Sequence, residues 1–291
     1  MDNPLIFIGT GRCGSTVISN TVMAHEELAY QSNYQEILYP FPQASGIRNL
    51  FQNKFWNIKA RPKNPSKLVF KPIEAYRMWN YLAGDEHNFS HGFMLGEKAN
   101  EKRKVFAQGY FSTMCRFQKK EKIAVKITGP SRISFLLSLF PNAKFVLITR
   151  AFLPTLRSLL KVDYWQNFGV NQLLWKGGYS PKELELAARL KGNDALYSAF
   201  QLNKVIESTK QEIQEHKPDI LTIAYEDFVY EPKKITKKIL AFAGLKENSP
   251  ACNAYLKALN VVDKNVAVRS FFNDDVLTKI EEIRTGQMVN I

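Results

Sequence analysis

Residues 5–16 read Leu-Ile-Phe-Ile-Gly-Thr-Gly-Arg-Cys-Gly-Ser-Thr, a short apolar run that leads directly into a glycine-rich turn. The run Leu5–Ile8 has the length and side chains of a buried strand, and the residues from Ser15 onward have a helical pattern. Glycines allow a tight turn that points successive N–H groups at one anion, and a helix N-terminus adds partial positive charge. The stretch therefore predicts a strand, a loop that binds an anion, and a helix.

The glycine spacing matches the phosphate loop of nucleoside triphosphatases, but the lysine of that loop is missing. Ser15 stands where the lysine that serves the β- and γ-phosphates is expected. Arg12, inside the loop, offers a full charge with forked donors instead. A glycine-rich turn without a ligand is the alternative. We expect a nucleotide without a γ-phosphate, bound by Gly11, Arg12, Cys13, Gly14, Ser15 and Thr16.

Three further apolar runs have the character of the first strand. They are short, rich in β-branched or aromatic residues and bounded by turns: Ala124–Ile127, Phe145–Thr149 and Ile220–Ala224. Helical patterns are found at Ser15–Ala24, Ser131–Phe140, Thr155–Leu160, Pro181–Glu215 (one or two helices) and Pro232–Ala243. Strands alternating with helices predict an α/β fold, a three-layer parallel sheet flanked by helices with a P-loop-like first unit.

Residues of about 30–120 interrupt this alternation. They are rich in Asn, Gln, Pro, Gly and aromatic residues, and their periodicity is weak apart from a short helix predicted around Glu74–Leu82. We expect a mostly helical or irregular insertion after the first βα unit, covering the substrate at the carboxyl edge of the sheet. The whole chain, 1–291, is then predicted to be one domain.

Composition narrows the class of protein. Apolar residues make up 45% and charged residues 23%, which is ordinary for a globular protein, and no apolar run is long enough for a membrane span. The first residues lack the pattern of a secretory signal, and the three cysteines (Cys13, Cys115 and Cys252) are widely spaced. We therefore expect a cytoplasmic protein. The four histidines are scattered, and no metal site is expected.

The formal net charge of +13 invites a nucleic-acid interpretation. However, the lysines and arginines are spread along the chain rather than gathered in one tail, so we expect no nucleic-acid partner. The densest basic stretch, interleaved with Phe55 and Trp56, is either a solvated loop or a surface that attracts an anionic cofactor or acidic substrate. It contains Lys54, Lys59, Arg61, Lys63, Lys67 and Lys71.

Four motifs in order resemble those of the sulfotransferases that use 3′-phosphoadenosine-5′-phosphosulfate (PAPS). The loop Arg12–Thr16 is similar to the family's loop for the 5′-phosphosulfate, with Cys13 in place of the usual serine. Lys126, in Val-Lys-Ile-Thr-Gly-Pro, resembles the family's strand-end lysine. Phe140–Arg150, followed by Ser158, resembles the strand and helix whose arginine and serine hold the 3′-phosphate.

The fourth motif is Tyr225–Pro232, followed by a helix that ends at Leu240–Leu245; in the family this tyrosine lies near the adenine. The resemblance thus implies that Arg150, Ser158 and Tyr225 bind the donor. Two positions depart from the family pattern. Ala151 replaces the aspartate that usually follows the arginine, and Thr128 replaces the histidine of the cytosolic small-molecule branch.

The catalytic residues follow from the chemistry together with the resemblance. Sulfuryl transfer needs a base for the acceptor proton and donors for the sulfuryl oxygens and the leaving phosphate; it needs no metal. Arg12 is the candidate for the charge on the phosphate, and Lys126 is a candidate to assist it. Relatives without the histidine use a glutamate some twenty residues after the loop, where Glu36 stands. Glu74 is a rival base, and a base supplied by the acceptor remains a third possibility.

The sequence therefore predicts a sulfotransferase that moves the sulfuryl group from PAPS, by in-line transfer with a carboxylate base, to a hydroxyl or amine. PAPS is the co-substrate, and adenosine 3′,5′-bisphosphate (PAP) is the product. The acceptor is a carbohydrate, a lipid or a small metabolite. The alternative is a P-loop nucleotide kinase or a non-catalytic nucleotide-binding protein; magnesium-dependent turnover of ATP would favour it. The sequence does not indicate an oligomeric state.

Overall fold

One parallel sheet of five strands lies at the centre of the described structure. This computed structural model describes residues 3–51, 70–259, 265 and 271–287. The strands are β1 Leu5–Ile8, β2 Leu28–Tyr30, β3 Lys122–Lys126, β4 Lys144–Thr149 and β5 Asp219–Ala224, in the spatial order β2-β3-β1-β4-β5. Because β3 and β4 flank β1 on opposite sides, the loop after β1 lies at the crevice where open α/β sheets bind ligands.

Helices connect and surround these strands. They are α1 Ser15–Met23, α2 Asn33–Ile37, α3 Arg48–Phe51, α4 Tyr76–Ala83, α5 Glu101–Gln118, α6 Ile133–Leu139, α7 Phe152–Leu159, α8 Pro181–Leu190, α9 Asp194–His216, α10 Tyr225–Tyr230, α11 Pro232–Phe242, α12 Pro250–Ala258 and α13 Asp274–Thr285. A 3₁₀ helix covers Pro42–Ile47, and a π-helical turn covers Trp165–Gly169.

Side chains of β1 alternate between the two faces of the sheet. Leu5 and Phe7 pack with apolar residues of α1, α11 and α12, whereas Ile6 and Ile8 pack with those of α4, α5 and α6. A third apolar cluster joins α7, α8, α9 and α13. Burying each large apolar side chain contributes about 1.5–3 kcal/mol relative to an exposed one. The predicted α/β fold with helices on both faces of a parallel sheet is confirmed.

The predicted strands agree with the observed ones to within two residues. The long pattern over 181–215 is two helices, α8 and α9, and Gly192 between them has a φ of 97° that favours glycine. Helix α7 begins before Pro154 rather than after it, because a proline is tolerated in the first turn, where its missing N–H has no partner anyway. The helix predicted over Glu74–Leu82 is α4.

Two elements within residues 28–118 escaped the sequence analysis. Strand β2 has three residues, too few for a pattern. Helix α5 has 18 residues and packs against β2, β3 and α6, so it belongs to one of the helical layers rather than to an irregular insertion. The polar residues of α5, together with Gly109, interrupt the apolar periodicity in the sequence, so this helix was not predicted. The predicted basic stretch, apart from Lys71, lies outside the described residues.

Candidate active site

The loop after β1 turns through three residues with positive φ: Gly11 (79°), Arg12 (57°) and Gly14 (88°). Gly14 immediately precedes α1, and a Cβ atom there would lie 2.1 Å from Cδ2 of Tyr225. No side chain fits at this position, so glycine is required both by conformation and by contact. The start of α1 therefore lies directly against Tyr225, the residue predicted to lie near the adenine.

Cys13 points away from the open side of the loop. Its side chain is buried, and a Cβ atom on Gly9 would lie 2.6 Å from its Sγ. Burial raises the pKa of the Cys13 thiol, so the group stays protonated and neutral. Cys13 therefore offers a ligand its backbone groups, because its side chain is packed against Gly9.

Arg12, Ser158 and Arg150 come together although they lie far apart in the sequence. The Nε of Arg12 donates to Oγ of Ser158 at 3.2 Å, and Nη1 of Arg150 donates to the carbonyl oxygen of Arg12 at 2.9 Å. Two guanidinium groups and a hydroxyl thus meet at the ends of β1 and β4 and on α7. Such a group of donors is suited to a phosphate.

Arg150 is also held from its other side. Its Nε and Nη2 donate to Oδ1 of Asn265 at 3.0 and 2.8 Å, and Nδ2 of Asn265 donates to Oε1 of Glu226 at 2.8 Å. The guanidinium carbon lies 4.8 Å from the ring centroid of Tyr225. Burial lowers the pKa of Arg150, while the nearby Tyr225 and Glu226 oppose that shift. Asn265 was not identified from the sequence.

Lys126 connects the loop to Glu74. It is buried, and its Nζ donates to Oγ1 of Thr16 at 3.0 Å and lies 3.0 Å from Oε1 of Glu74. The strand-end lysine and the rival base predicted from the sequence therefore meet beside the first turn of α1. A buried ammonium with a carboxylate partner has a fixed position, which a charge-stabilising group requires.

Gln31, which follows β2, connects the segments that carry Lys126 and Glu74. It was missed by the sequence analysis. Its Nε2 donates to the carbonyl oxygens of Lys126 and Glu74, both at 2.7 Å, and to that of Ile73 at 2.8 Å. Its Oε1 accepts from Nε1 of Trp79 at 3.0 Å. The buried amide thus ties the Glu74 segment to the end of β3. Recognising β2 would have placed this residue at the carboxyl edge.

Glu36 lies on α2, half-buried, and one of its oxygens accepts from the backbone N–H of Arg77 at 3.1 Å. Arg77 is in the first turn of α4, only three residues after Glu74, and α2 packs against α4. Because Glu36 contacts Arg77 and Glu74 precedes Arg77 by three residues, the two candidate bases lie near the same end of α4. Glu74 is joined to the loop through Lys126, whereas Glu36 is joined to the N-terminus of α4.

Thr128, which the resemblance aligns with the histidine of the cytosolic small-molecule branch, is bound by Tyr76. The Tyr76 hydroxyl donates to the carbonyl oxygen of Thr128 at 2.6 Å and accepts from its N–H at 3.2 Å. Burial raises the pKa of Tyr76, so the hydroxyl keeps the proton it donates. This tyrosine fixes the turn after β3 and was also missed by the sequence analysis.

Among the helices of the described residues, none is long and apolar enough to cross a membrane. No group of three or more His, Cys, Asp and Glu side chains within the described ranges is arranged to hold a metal ion.

The chain belongs to the sulfotransferase family, because the sequence model of that family matches residues 4–249. This segment contains the loop, Lys126, Arg150, Ser158 and Tyr225. No curated protein matches the chain in sequence.

Solved structures of sulfotransferases have the same fold. The sulfotransferase STF9 from Mycobacterium avium superposes with a TM-score of 0.61 at 16% identity, over 100% of this chain and 77% of that one. STF1 from Mycobacterium tuberculosis H37Rv gives 0.51 at 14% identity, over 98% and 77%. The sulfotransferase domain from the curacin biosynthetic pathway gives 0.50 at 11% identity, over 99% and 98%. At these identities the likeness concerns the fold.

Proposed function

We propose that this sulfotransferase takes its sulfuryl group from PAPS and transfers it to a hydroxyl or amine of a carbohydrate, lipid or small metabolite. The observation that carries the proposal is the hydrogen-bonded cluster of Arg12, Ser158 and Arg150, next to a phosphate loop without the lysine of triphosphatases. A nucleotide with a phosphate at the 3′ position and a charged group at the 5′ position suits this distribution of donors.

The residues present fit the two anionic ends of the donor. A guanidinium binds phosphate oxygens through parallel N–H donors, and a hydroxyl adds another. We assign the 3′-phosphate to Arg150 and Ser158, as the family resemblance also implies. We assign the 5′-phosphosulfate to Arg12 and the backbone of the loop, together with the hydroxyl groups of Ser15 and Thr16.

In the reaction, the acceptor oxygen or nitrogen forms a bond to sulfur while the bond from sulfur to the bridging phosphate oxygen breaks. The acceptor proton passes to a base, the electron pair of the broken bond stays on the bridging oxygen, and the 5′-phosphate of the departing PAP thereby gains one negative charge. Arg12 and Lys126 stabilise the charge that develops on the sulfuryl and phosphate oxygens. The hydrogen bond from Lys126 to Thr16 holds the ammonium at the loop for this role.

We propose Glu36 as the base and Glu74 as the residue that positions Lys126. The Glu74 carboxylate is engaged by the ammonium of Lys126 at 3.0 Å, so accepting a proton would break that ion pair. Glu36 engages a backbone N–H instead and stands at the position of the family's glutamate. A base needs hydrogen-bond reach to the acceptor proton, and we propose that the bound acceptor presents this proton to Glu36.

We expect PAP to raise the melting temperature far more than ADP does. A ligand at one hundred times its dissociation constant stabilises the folded state by about 2.7 kcal/mol. ADP lacks the 3′-phosphate, so it leaves Arg150 and Ser158 without an anion. A thermal melt with each nucleotide, with and without magnesium, measures the difference. Equal shifts, or a shift by ADP that depends on magnesium, would contradict the proposed donor and favour a nucleotide kinase.

We expect Arg150→Ala to weaken PAP binding while the weaker binding of ADP changes little. A hydrogen bond to a charged group contributes about 1.5–3 kcal/mol, which corresponds to about ten- to a hundredfold in affinity. Titration calorimetry with both nucleotides measures this, and Arg189→Ala, at an exposed arginine of α8, is the matched control. If Arg150→Ala weakened both ligands equally, Arg150 would support the loop rather than recognise the 3′-phosphate.

A further inference from the structure

A concavity of about 380 Å³ lies between the π-helical turn and the segment after α4. We call it the aromatic recess; its lining consists of Asn88, His91, Tyr164, Phe168, Gln172, Leu173, Leu174 and Lys176. Tyr164 and Phe168 are 48% and 47% exposed, with ring centroids 5.4 Å apart. Two large aromatic rings side by side at an open concave surface are typical of a binding site.

The wall that bears the two rings is fixed to the core. Trp165, buried beside Tyr164, donates from Nε1 to Oγ of Ser198 at 2.8 Å, and its ring lies against Gly169. The carbonyl oxygen of Gly169 accepts from Nε2 of Gln201 at 2.7 Å. Helix α9 therefore fixes the turn that holds Tyr164 and Phe168 in their exposed positions. Single π-helical turns often mark functional sites, because they turn side chains out of the α-helical register.

The opposite wall is attached to the phosphate loop. Lys176 exchanges backbone hydrogen bonds with the segment after α4: its N–H donates to His91 at 2.7 Å, and its carbonyl oxygen accepts from Phe93 at 2.9 Å. The neighbouring Trp175 packs against Gly129, where a Cβ atom would lie 2.7 Å from its ring. The N–H of Gly129 donates to the carbonyl oxygen of Gly9 at 2.9 Å. The recess is thus connected to the start of the phosphate loop through Trp175 and Gly129.

The lining combines apolar side chains, among them Leu173 and Leu174, with four polar ones, and the polar ones favour a sugar over a lipid. Asn88 and Gln172 carry amide groups, His91 an imidazole and Lys176 an ammonium, and a hydrocarbon chain would cover these groups without satisfying them. Aromatic rings can pack on the apolar face of a sugar while amides bind its hydroxyl groups. The recess includes a lysine and no Asp or Glu among the described lining residues, and the chain has a net charge of +13. An acidic ligand is attracted by such a surface.

We infer that the aromatic recess binds the sulfuryl acceptor and that this acceptor is an acidic oligosaccharide. One sugar ring packs on Tyr164 and Phe168, and a carboxylate or sulfate group of the chain pairs with Lys176. This inference rests on the proposed function, because it gives the recess a role only if the neighbouring loop holds a sulfuryl donor.

The test uses a hexasaccharide of alternating glucuronic acid and N-acetylglucosamine as the acidic probe, and a hexamer of N-acetylglucosamine as the neutral one. Binding to the full chain in saturating PAP is measured by titration calorimetry. We expect the acidic probe to bind more tightly, and Phe168→Ala to weaken both probes by about tenfold or more. Lys176→Gln removes one charge-assisted contact, so it is expected to weaken the acidic probe about tenfold and the neutral one little.

Tyr230→Ala is the matched control, because Tyr230 is 76% exposed and lies on α10, outside the lining of the recess. Failure of the acidic probe to bind, or equal binding to the wild type and to Phe168→Ala, would overturn the inference. Preferential binding of dodecanol, also lost in Phe168→Ala, would assign the recess to a lipid and overturn it too. The PAP-induced melting shift is recorded for every variant. A normal shift without saccharide binding overturns the inference and leaves the proposed donor intact, whereas a missing shift in the wild type overturns the donor and, with it, the role of the recess as an acceptor site.

Discussion

Glu36→Gln is expected to lower turnover by about a hundred- to ten-thousandfold, the usual effect of removing a general base. The amide keeps the size and polarity of the side chain but cannot take the acceptor proton. Binding of PAP should stay close to that of the wild type, because Glu36 contacts α4 rather than the loop. Turnover is measured with labelled PAPS and an acceptor mixture, and the product is identified by mass spectrometry.

Glu74→Gln is the matched comparison for Glu36→Gln. It removes the carboxylate that faces Lys126 but leaves the hydrogen bond between Lys126 and Thr16 possible. We expect a smaller loss of turnover than in Glu36→Gln. The opposite order of effects would transfer the role of base to Glu74. Near-normal turnover in both variants would mean that the acceptor supplies its own base.

Lys126→Met is expected to lower turnover by about a hundred- to a thousandfold, the effect of losing one fixed donor to a developing charge. Methionine retains the apolar part of the side chain in its buried position, so packing against the loop changes little. The loss should appear in turnover more than in PAP affinity, because the charge that Lys126 meets develops during transfer.

Lys122→Met is the control at the other end of β3. There the ammonium donates to the carbonyl oxygen of Gly244 at 2.7 Å, far along the strand from the loop.

Lys126→Met also leaves the Glu74 carboxylate without its partner, and an unpaired charge at this position can itself lower turnover. The double variant Lys126→Met with Glu74→Gln removes both charges, so it separates the loss of the lysine from the effect of the unpaired carboxylate. Turnover equal to that of the wild type in the double variant would exclude a catalytic role for Lys126.

The parts of the fold that the sequence predicted are those in which local pattern and tertiary position agree. Strands β1, β3 and most of β4 are buried on both faces, so their residues form continuous apolar runs. Strand β5 lies at the edge of the sheet and is only partly buried, but its run of Ile, Leu and Thr still has a strand-like pattern. The loop at Gly9–Thr16 is equally local, because its glycines are required where φ is positive. Local residues were enough to predict the architecture and one edge of the site.

The parts that were missed depend on contacts between distant residues. Gln31 is an ordinary polar residue until β3 and the Glu74 segment place three carbonyl oxygens around its amide. The relation between Glu36, Glu74 and Lys126 likewise depends on the way α4 meets α2. The spacing of these residues in the sequence does not indicate that packing. The sequence could thus suggest two carboxylates but not separate their roles.

The hydrogen bonds that hold Arg150 bear on how the proposed nucleotide would exchange. An arginine side chain carries about 2 kcal/mol of rotamer entropy, and the hydrogen bonds to Asn265 restrict that freedom. Part of the conformational cost of ordering the guanidinium is thus met during folding. A 3′-phosphate bound there, as we propose, would replace the amide oxygen as the acceptor, and the amide would return when the nucleotide leaves. Asn265 lies beyond residue 249, where the family match ends, so this restraint on Arg150 comes from outside the matched segment.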